Sequence, residues 1–293
     1  MMSVTVDENA GFCWGVVRAV QFAEKELDDA GKLYCIGEII HNPIEIERLK
    51  KRGLETISVN DLKNINGVKT LIRAHGEPPL TYELASASEV ELIDATCPIV
   101  KKVQERIKNF FEDGYQIIIF GKKEHPEVIG LNGVCNNRAV IIKSKEEAEV
   151  VNLLEKNVVF SQTTMDKSGF KSIINILTEK AKKKEHGSEL ELLVNDTICR
   201  SVSDRETQLQ EFSKKNDVVI FVSGRNSSNG KMLFEICSKS NPQTYFIEGV
   251  QEIKYEWVDG KRSIGITGAT STPKWVIEGV KEYILKKVLQ PFN

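Results

Sequence analysis

Three cysteines in this chain are each followed, 28 residues later, by a side chain that can hydrogen-bond an anion: Cys13 by His41, Cys97 by His125 and Cys199 by Ser227. The surroundings repeat as well. Each cysteine opens an apolar-periodic stretch, a short β-like run follows (Leu33 to Ile40, Tyr115 to Phe120, Asp217 to Val222), and a polar donor closes it. A later run in each copy also ends alike, in Arg73-Ala74-His75-Gly76, Ser161-Gln162-Thr163-Thr164 and Gly268-Ala269-Thr270-Ser271. The cysteines are 84 and 102 residues apart, far beyond the roughly 20 to 50 of a solenoid repeat. The chain therefore reads as three units of small-domain size, each presenting one thiol and two polar strand ends. The boundaries fall at 14–97, 98–196 and 197–293, with an N-terminal strand in 1–13 joining the third unit.

Periodicity makes each unit α/β. Val68 to Ile72, Ile117 to Phe120, Val158 to Phe160, Val218 to Val222 and Ser263 to Thr267 are short and β-branched. They are apolar on both faces, as buried parallel strands are. Between them lie helical patterns. Trp14 to Ala30 sets Val16, Val20, Ala23 and Leu27 on one stripe and meets Gly31, a suitable C-cap. Pro43, Pro98 and Pro273 mark helix starts, where a missing N–H costs nothing. Strand and helix alternating over short connections imply parallel sheets with right-handed crossovers. The expected fold is three small parallel-sheet α/β lobes about a pseudo-threefold centre where the three thiols meet.

Composition narrows the function classes. With 40 basic and 42 acidic residues, the net charge of −2 gives no electrostatic reason to expect nucleic acid or an anionic membrane as partner. The basic run Lys182-Lys183-Lys184 and the pair Lys286-Lys287 read as solvated helix faces. No apolar stretch approaches the ~20 residues that span a bilayer, and no charged segment followed by an apolar core marks a signal peptide. A cytoplasmic address follows as the expectation, and there thiols stay reduced.

In parallel sheets ligands bind beyond the carboxyl ends of the strands, where helix N-termini present free amides. His41, His75, His125, Thr163, Thr164, Ser227, Asn229 and Ser271 all fall at such ends. A pocket so lined has many neutral donors and few formal charges, which suits a diphosphate. Free cysteines are usually core residues. Cys35, Cys135 and Cys237 have no place in the threefold pattern and read as core fillers, whereas Cys13, Cys97 and Cys199 read as metal ligands. His186 lies in a polar segment and reads as a surface residue. Three thiolates exclude a four-cysteine zinc site but leave three cysteines plus one histidine open. A cubane iron–sulfur cluster with one iron lacking a protein ligand accounts for more of the sequence, including the donor-rich pocket and Glu127 beside His125.

The strings Gly11-Phe12-Cys13, His41-Asn42-Pro43, Ala74-His75-Gly76, Asp94-Ala95-Thr96-Cys97-Pro98, His125-Pro126-Glu127-Val128, Gln162-Thr163-Thr164, Asp196-Thr197-Ile198-Cys199 and Ser227-Ser228-Asn229 resemble the LytB/IspH family. The likeness runs from the first motif to Ser271-Thr272-Pro273. It implies reductive dehydroxylation of 4-hydroxy-3-methylbut-2-enyl diphosphate to isopentenyl and dimethylallyl diphosphate, the last step of the methylerythritol phosphate route. It implies a pseudo-threefold α/β cloverleaf around a central 4Fe-4S cluster held by Cys13, Cys97 and Cys199, and an external electron donor such as ferredoxin or flavodoxin. By the same resemblance His41, His75, Ser227, Ser228, Asn229 and Ser271 hold the diphosphate, His125 shares the pocket, and Glu127 with Thr164 relays protons. Trp14 departs from the family, which commonly has a small residue after the first cysteine; an indole there bears on solvent access and reduction potential. No appended RNA-binding module, of the kind some relatives carry, is expected. Two other classes use parts of this pattern. A zinc-dependent phosphate-ester hydrolase would use the donors and Glu127, and a non-catalytic iron–sulfur redox sensor would use the thiols alone.

Overall fold

The computed structural model describes residues 2–65, 67–182 and 190–288. His186, Lys183, Lys184 and the side chain of Lys287 lie outside the described residues. The first third of the chain runs β1 (Ser3–Val6), α1 (Trp14–Ala30), β2 (Leu33–Ile36), α2 (Pro43–Lys51), β3 (Leu54–Ile57), β4 (Thr70–Ile72), α3 (Pro79–Ala87) and β5 (Leu92–Asp94). The second runs α4 (Pro98–Glu112), β6 (Gln116–Phe120), α5 (Pro126–Gly133), β7 (Val140–Ile142), α6 (Lys145–Val150), β8 (Lys156–Ser161), α7 (Lys167–Lys182) and β9 (Glu191–Val194). The third runs α8 (Arg200–Lys214), β10 (Val218–Val222), α9 (Ser228–Ser240), β11 (Thr244–Ile247), α10 (Tyr255–Val258), β12 (Ser263–Gly268) and α11 (Lys274–Val288).

The strands form three parallel four-stranded sheets that share one order: β3-β2-β4-β5, β7-β6-β8-β9 and β11-β10-β12-β1. The N-terminal strand supplies the fourth position of the last sheet, pairing Ser3 with Ser263 through Val6 with Ile266. This shared order explains the 28-residue interval. Each cysteine follows a fourth strand and starts the helix that leads to the first strand of the next sheet, and the polar donor lies five residues beyond that strand's end, at His41 after Ile36, His125 after Phe120 and Ser227 after Val222. Register completes the pattern. The two central strands of each sheet stop level with one another, Ile36 opposite Ile72, Phe120 opposite Ser161 and Val222 opposite Gly268.

Two compact units divide the chain: Met1–Gly31, Glu38–Leu54 and Arg200–Asn293 form one, Lys32–Gly37 and Glu55–Cys199 the other. Residues 14–31 and 38–54, which carry α1 and α2, cluster with the first unit. In that unit, alternation sends Val218, Ile220 and Val222 toward Val276, Ile277, Val280 and Ile284 of α11, while Phe221 packs with Leu209, Leu233 and Cys237. In the second, Ile118 and Phe120 meet Phe170, Ile173 and Leu177 of α7. Ile117 and Ile119 turn to Val103, Ile107, Val128 and Leu131 of α4 and α5. Burial on both faces is what the continuous apolar runs required.

Helix α1 has the predicted bounds and ends at Gly31 in the left-handed conformation, φ 70°. Proline opens α2 and α4 as expected, and also α3 and α5. Pro273 immediately precedes α11, its carbonyl accepting from Ile277. Cys35 lies in β2, Cys237 in α9 and Cys135 in the turn after α5, all fully buried. Among the described residues no helix is long and apolar enough to cross a membrane.

Candidate active site

In the first unit, Cys13 is the N-cap of α1, its backbone extended at φ −69°, ψ 161°. Its N–H donates to the Thr270 carbonyl at 3.0 Å and its carbonyl accepts from Val17 at 2.9 Å. Thr270 donates in turn, by N–H and Oγ1, to Oδ1 of Asn229 at 3.0 and 2.8 Å. The Asn229 amide is thus oriented with Oδ1 committed, while its buried Nδ2 has no hydrogen-bond partner among the described residues. A buried N–H donor left unmade is costly and calls for an acceptor. Ser227 caps α9, accepting from Gly230 N–H at 3.0 Å, and its hydroxyl lies 3.0 Å from that of Ser271. Ser227, Ser228, Asn229 and Ser271 are all buried.

The His41 segment sits in the same unit. Asn42 caps α2, accepting from Glu45 N–H at 3.1 Å. The His41 carbonyl passes so close to Gly224 that a Cβ there would stand 2.3 Å from its oxygen. Glu45, buried, is held by Arg48 at 2.8 and 2.6 Å and by Trp275 Nε1 at 3.1 Å. His41 Nδ1 lies 3.5 Å from Glu38, at the edge of hydrogen-bond range.

In the second unit the same cysteine geometry recurs. Cys97 caps α4 and its N–H donates to the Ala74 carbonyl at 3.0 Å; Cys199, directly before α8, donates to the Thr163 carbonyl at 2.9 Å. All three cysteine amides therefore bind the residue just beyond the third strand of a sheet. Burial raises the Cys97 thiol, and the charges of Cys199 and Glu127 raise it further, so these groups lie within electrostatic reach of one another.

Glu127 stands in the first turn of α5 and is 2 % exposed. Its carboxylate accepts from Thr163 twice, from N–H at 2.6 Å and from Oγ1 at 2.7 Å. Those bonds favour the ionised form, yet burial dominates and pushes the carboxyl up to about 7. His125 caps α5 through Nδ1, which accepts from Glu127 N–H at 3.2 Å, and its ring meets that of His75 edge-on at 5.4 Å.

The hydroxyl on Glu127 is that of Thr163. Thr164, expected as its relay partner, accepts from Gln162 Nε2 at 2.7 Å. Thr163 was legible as a strand-end residue, but its equivalence to Thr270 and Ala74 as acceptor of a cysteine amide is visible only in the structure.

The donor set fits an iron–sulfur group. Cys13, Cys97 and Cys199 are partly exposed at helix N-termini, whereas the other three cysteines are sealed in the core. Burial pushes Cys35 up to about 12 and Cys237 up to about 11, which makes them inert.

Each unit taken by itself carries the features of a candidate thiolate-metal enzyme: the first has a partly exposed thiol, Cys13, linked through Thr270 to the buried amide of Asn229, and the second has two partly exposed thiols, Cys97 and Cys199, with a poised carboxyl bonded to Thr163. The chain belongs to the LytB family, whose model, described as LytB protein, matches residues 4–285. It is 46% identical to the 4-hydroxy-3-methylbut-2-enyl diphosphate reductase of Chloroherpeton thalassium, over 97% of this chain and 96% of that one. It is 43% identical to the enzyme of the same name from Bacteroides fragilis, over 98% and 99%. A solved structure of (E)-4-hydroxy-3-methyl-but-2-enyl diphosphate reductase, the terminal enzyme of the non-mevalonate pathway, matches with TM-score 0.69 and 34% identity, covering 98% of this chain and all of that one. The Plasmodium falciparum reductase structure matches with TM-score 0.87 and 27% identity, covering 100% and 90%.

Proposed function

We propose that this protein reduces 4-hydroxy-3-methylbut-2-enyl diphosphate to isopentenyl and dimethylallyl diphosphate. The observation that carries the reading is the path Cys199–Thr163–Glu127: one residue accepts the backbone amide of a candidate metal ligand and donates twice to a buried carboxyl poised near neutrality. A zinc hydrolase or a redox sensor gives no account of that carboxyl together with full-length similarity to these reductases.

Cys13, Cys97 and Cys199 would hold a 4Fe-4S cluster, leaving one iron without a protein ligand. When bound, the cluster supplies electrons singly and a Lewis acid for the hydroxyl oxygen. The reaction breaks one C–O bond and consumes two electrons and two protons. One proton leaves with the hydroxyl as water, and the other ends on an allylic carbon, at one end for each product.

Glu127 supplies the first proton. A pKa near working pH lets a carboxyl be protonated before the step and ionised after it, and the two Thr163 bonds stabilise the charge it is left with. Thr164 with Gln162 lies next along the chain for reprotonation. His41, His75, Ser227, Ser228, Asn229 and Ser271 hold the diphosphate, with His125 in the same pocket. Asn229 Nδ2, oriented and buried, calls for an acceptor. Because the diphosphate is unchanged by the reaction, its binding energy serves to orient the hydroxyl end and exclude water from it. The electrons come from an external donor of the ferredoxin or flavodoxin kind.

Anaerobic purification followed by iron and sulfide analysis, then turnover with a reduced dye, tests the reading. Iron and sulfide near four per chain, with both five-carbon diphosphates formed, is the expected result. Zinc in place of iron, or a stable cluster without turnover, overturns it.

A further inference from the structure

His75 occupies the third position of a four-residue turn, Arg73 to Gly76, closed by Gly76 N–H donating to the Arg73 carbonyl at 3.0 Å. Gly76 takes φ +74°, a left-handed conformation that favours glycine. An ion pair straddles the turn. Arg73 Nη2 lies 3.2 Å from Glu77 Oε1, with only 14 % and 6 % of the two side chains exposed. The guanidinium lies where a side chain at position 37 would be, since a Cβ on Gly37 would come within 2.3 Å of it. Thr81 Oγ1 donates to the other Glu77 oxygen at 3.3 Å. From α4, Gln104 Nε2 donates to the Glu77 backbone carbonyl at 3.2 Å.

Helix α5 closes the other side. A Cβ on Gly133 would stand 2.2 Å from Pro78 Cβ, and one on Gly130 would stand 3.1 Å from Gln104 Nε2 and 3.6 Å from the Gly76 carbonyl. The backbone of α5 therefore lies directly against Gly76-Glu77-Pro78. That same helix carries His125 as its cap and Glu127 in its first turn.

We infer that Glu77 and Gln104 are positioning residues that hold the His75 turn in register with α5 and so set the separation of the His75 and His125 imidazoles. The inference rests on the proposed role of His75 in holding the diphosphate. Neither side chain reaches the ligand; both act through the turn. Gln104 fixes the carbonyl of residue 77, the Arg73–Glu77 pair fixes the two ends of the turn, and the missing side chains of Gly130 and Gly133 let the helix approach.

A double-mutant cycle tests this on the cluster-loaded protein. Glu77→Gln, and separately Gln104→Leu, should raise the KM for the allylic diphosphate about tenfold, the size expected of side chains that share one network. Iron content and kcat at saturating substrate should stay near those of the parent. In a His75→Ala background neither change should raise KM further. An equal rise with and without His75 overturns the inference, as does an unchanged KM in both single variants. If His75→Ala itself leaves KM unchanged, the underlying reading of His75 fails first and takes the inference with it. Glu77→Gln leaves a buried guanidinium short of its partner. Should that variant lose its fold, Gln104→Leu, which removes one neutral hydrogen bond, still decides the matter.

Discussion

A carboxyl sealed from water but still accepting two hydrogen bonds is held between opposing pressures, and Glu127 shows which prevails. Desolvation outweighs the Thr163 bonds, so its pKa is raised to about 7. An acid is useful while protonated, so kcat should fall as pH rises through about 7, and this descending limb should vanish in Glu127→Gln. Turnover of that variant should drop by the ~10²- to 10⁴-fold typical of a lost general acid, while substrate still perturbs the iron signal. Near-normal turnover would return the acid role to His125 or to water. The sign of a second change follows from the geometry. The Thr163 hydroxyl lowers the Glu127 pKa, so Thr163→Val should move the descending limb to higher pH. Thr164→Ala, which leaves both Thr163 bonds in place, should lower the rate without moving the limb. Rate measurements at fixed cluster loading across pH 5 to 9, about two units either side of that pKa, separate the two threonines.

Helix N-termini carry the rest of the site. Three begin at thiols, and at the other three the side chains of Asn42, His125 and Ser227 each accept from a backbone amide of the first turn. Cys13→Ser, Cys97→Ser and Cys199→Ser should each abolish normal cluster ligation, whereas Cys35→Ser, Cys135→Ser and Cys237→Ser should retain iron. Loss of iron from Cys135→Ser with a normal spectrum in Cys97→Ser would refute the assignment. At α9, Asn229→Asp keeps the acceptor that Thr270 needs but replaces the free Nδ2 donor with an oxygen. Binding of the diphosphate should then weaken by more than in Ser227→Ala, with the cluster spectrum intact in both. Titration of substrate against that spectrum gives the two affinities directly.

At the scale of the molecule, one buried group of side chains ties the two ends of the chain together. Asp7, just after β1, accepts from Arg205 of α8 and from Thr267 of β12, each at 2.7 Å, and both Asp7 and Arg205 are about 5 % exposed. Among the described residues Arg205 Nε and Nη1 have no hydrogen-bond partner, and Asp7 is the only charged support of this guanidinium. Removing one member of such a pair leaves an uncompensated buried charge. Asp7→Ala should therefore cost about 3 to 5 kcal/mol, read as a shift in the denaturation midpoint of the loaded protein. A loss below about 1 kcal/mol would show the pair to be a surface-like contact.

Much of this was written locally. Runs such as Val218 to Val222 could only be buried strands, Gly31 and the prolines marked helix ends, and the repeated cysteine interval marked the thiols, because each depends on residues close in sequence. The family resemblance singled out Glu127 by its place in the His125-Pro126-Glu127 string. Its sequence neighbours carried no sign of the burial that raises its pKa, nor of Thr163, 36 residues away, as the hydroxyl that touches it. Nor did they show that Asn229 is turned by Thr270, or that the bare Cα of Gly133 lies against Pro78 and that of Gly130 against Gln104 and Gly76. Those are contacts between strand ends and helices brought level by sheet register, and a desolvation energy depends on everything that surrounds a group once the chain has closed over it.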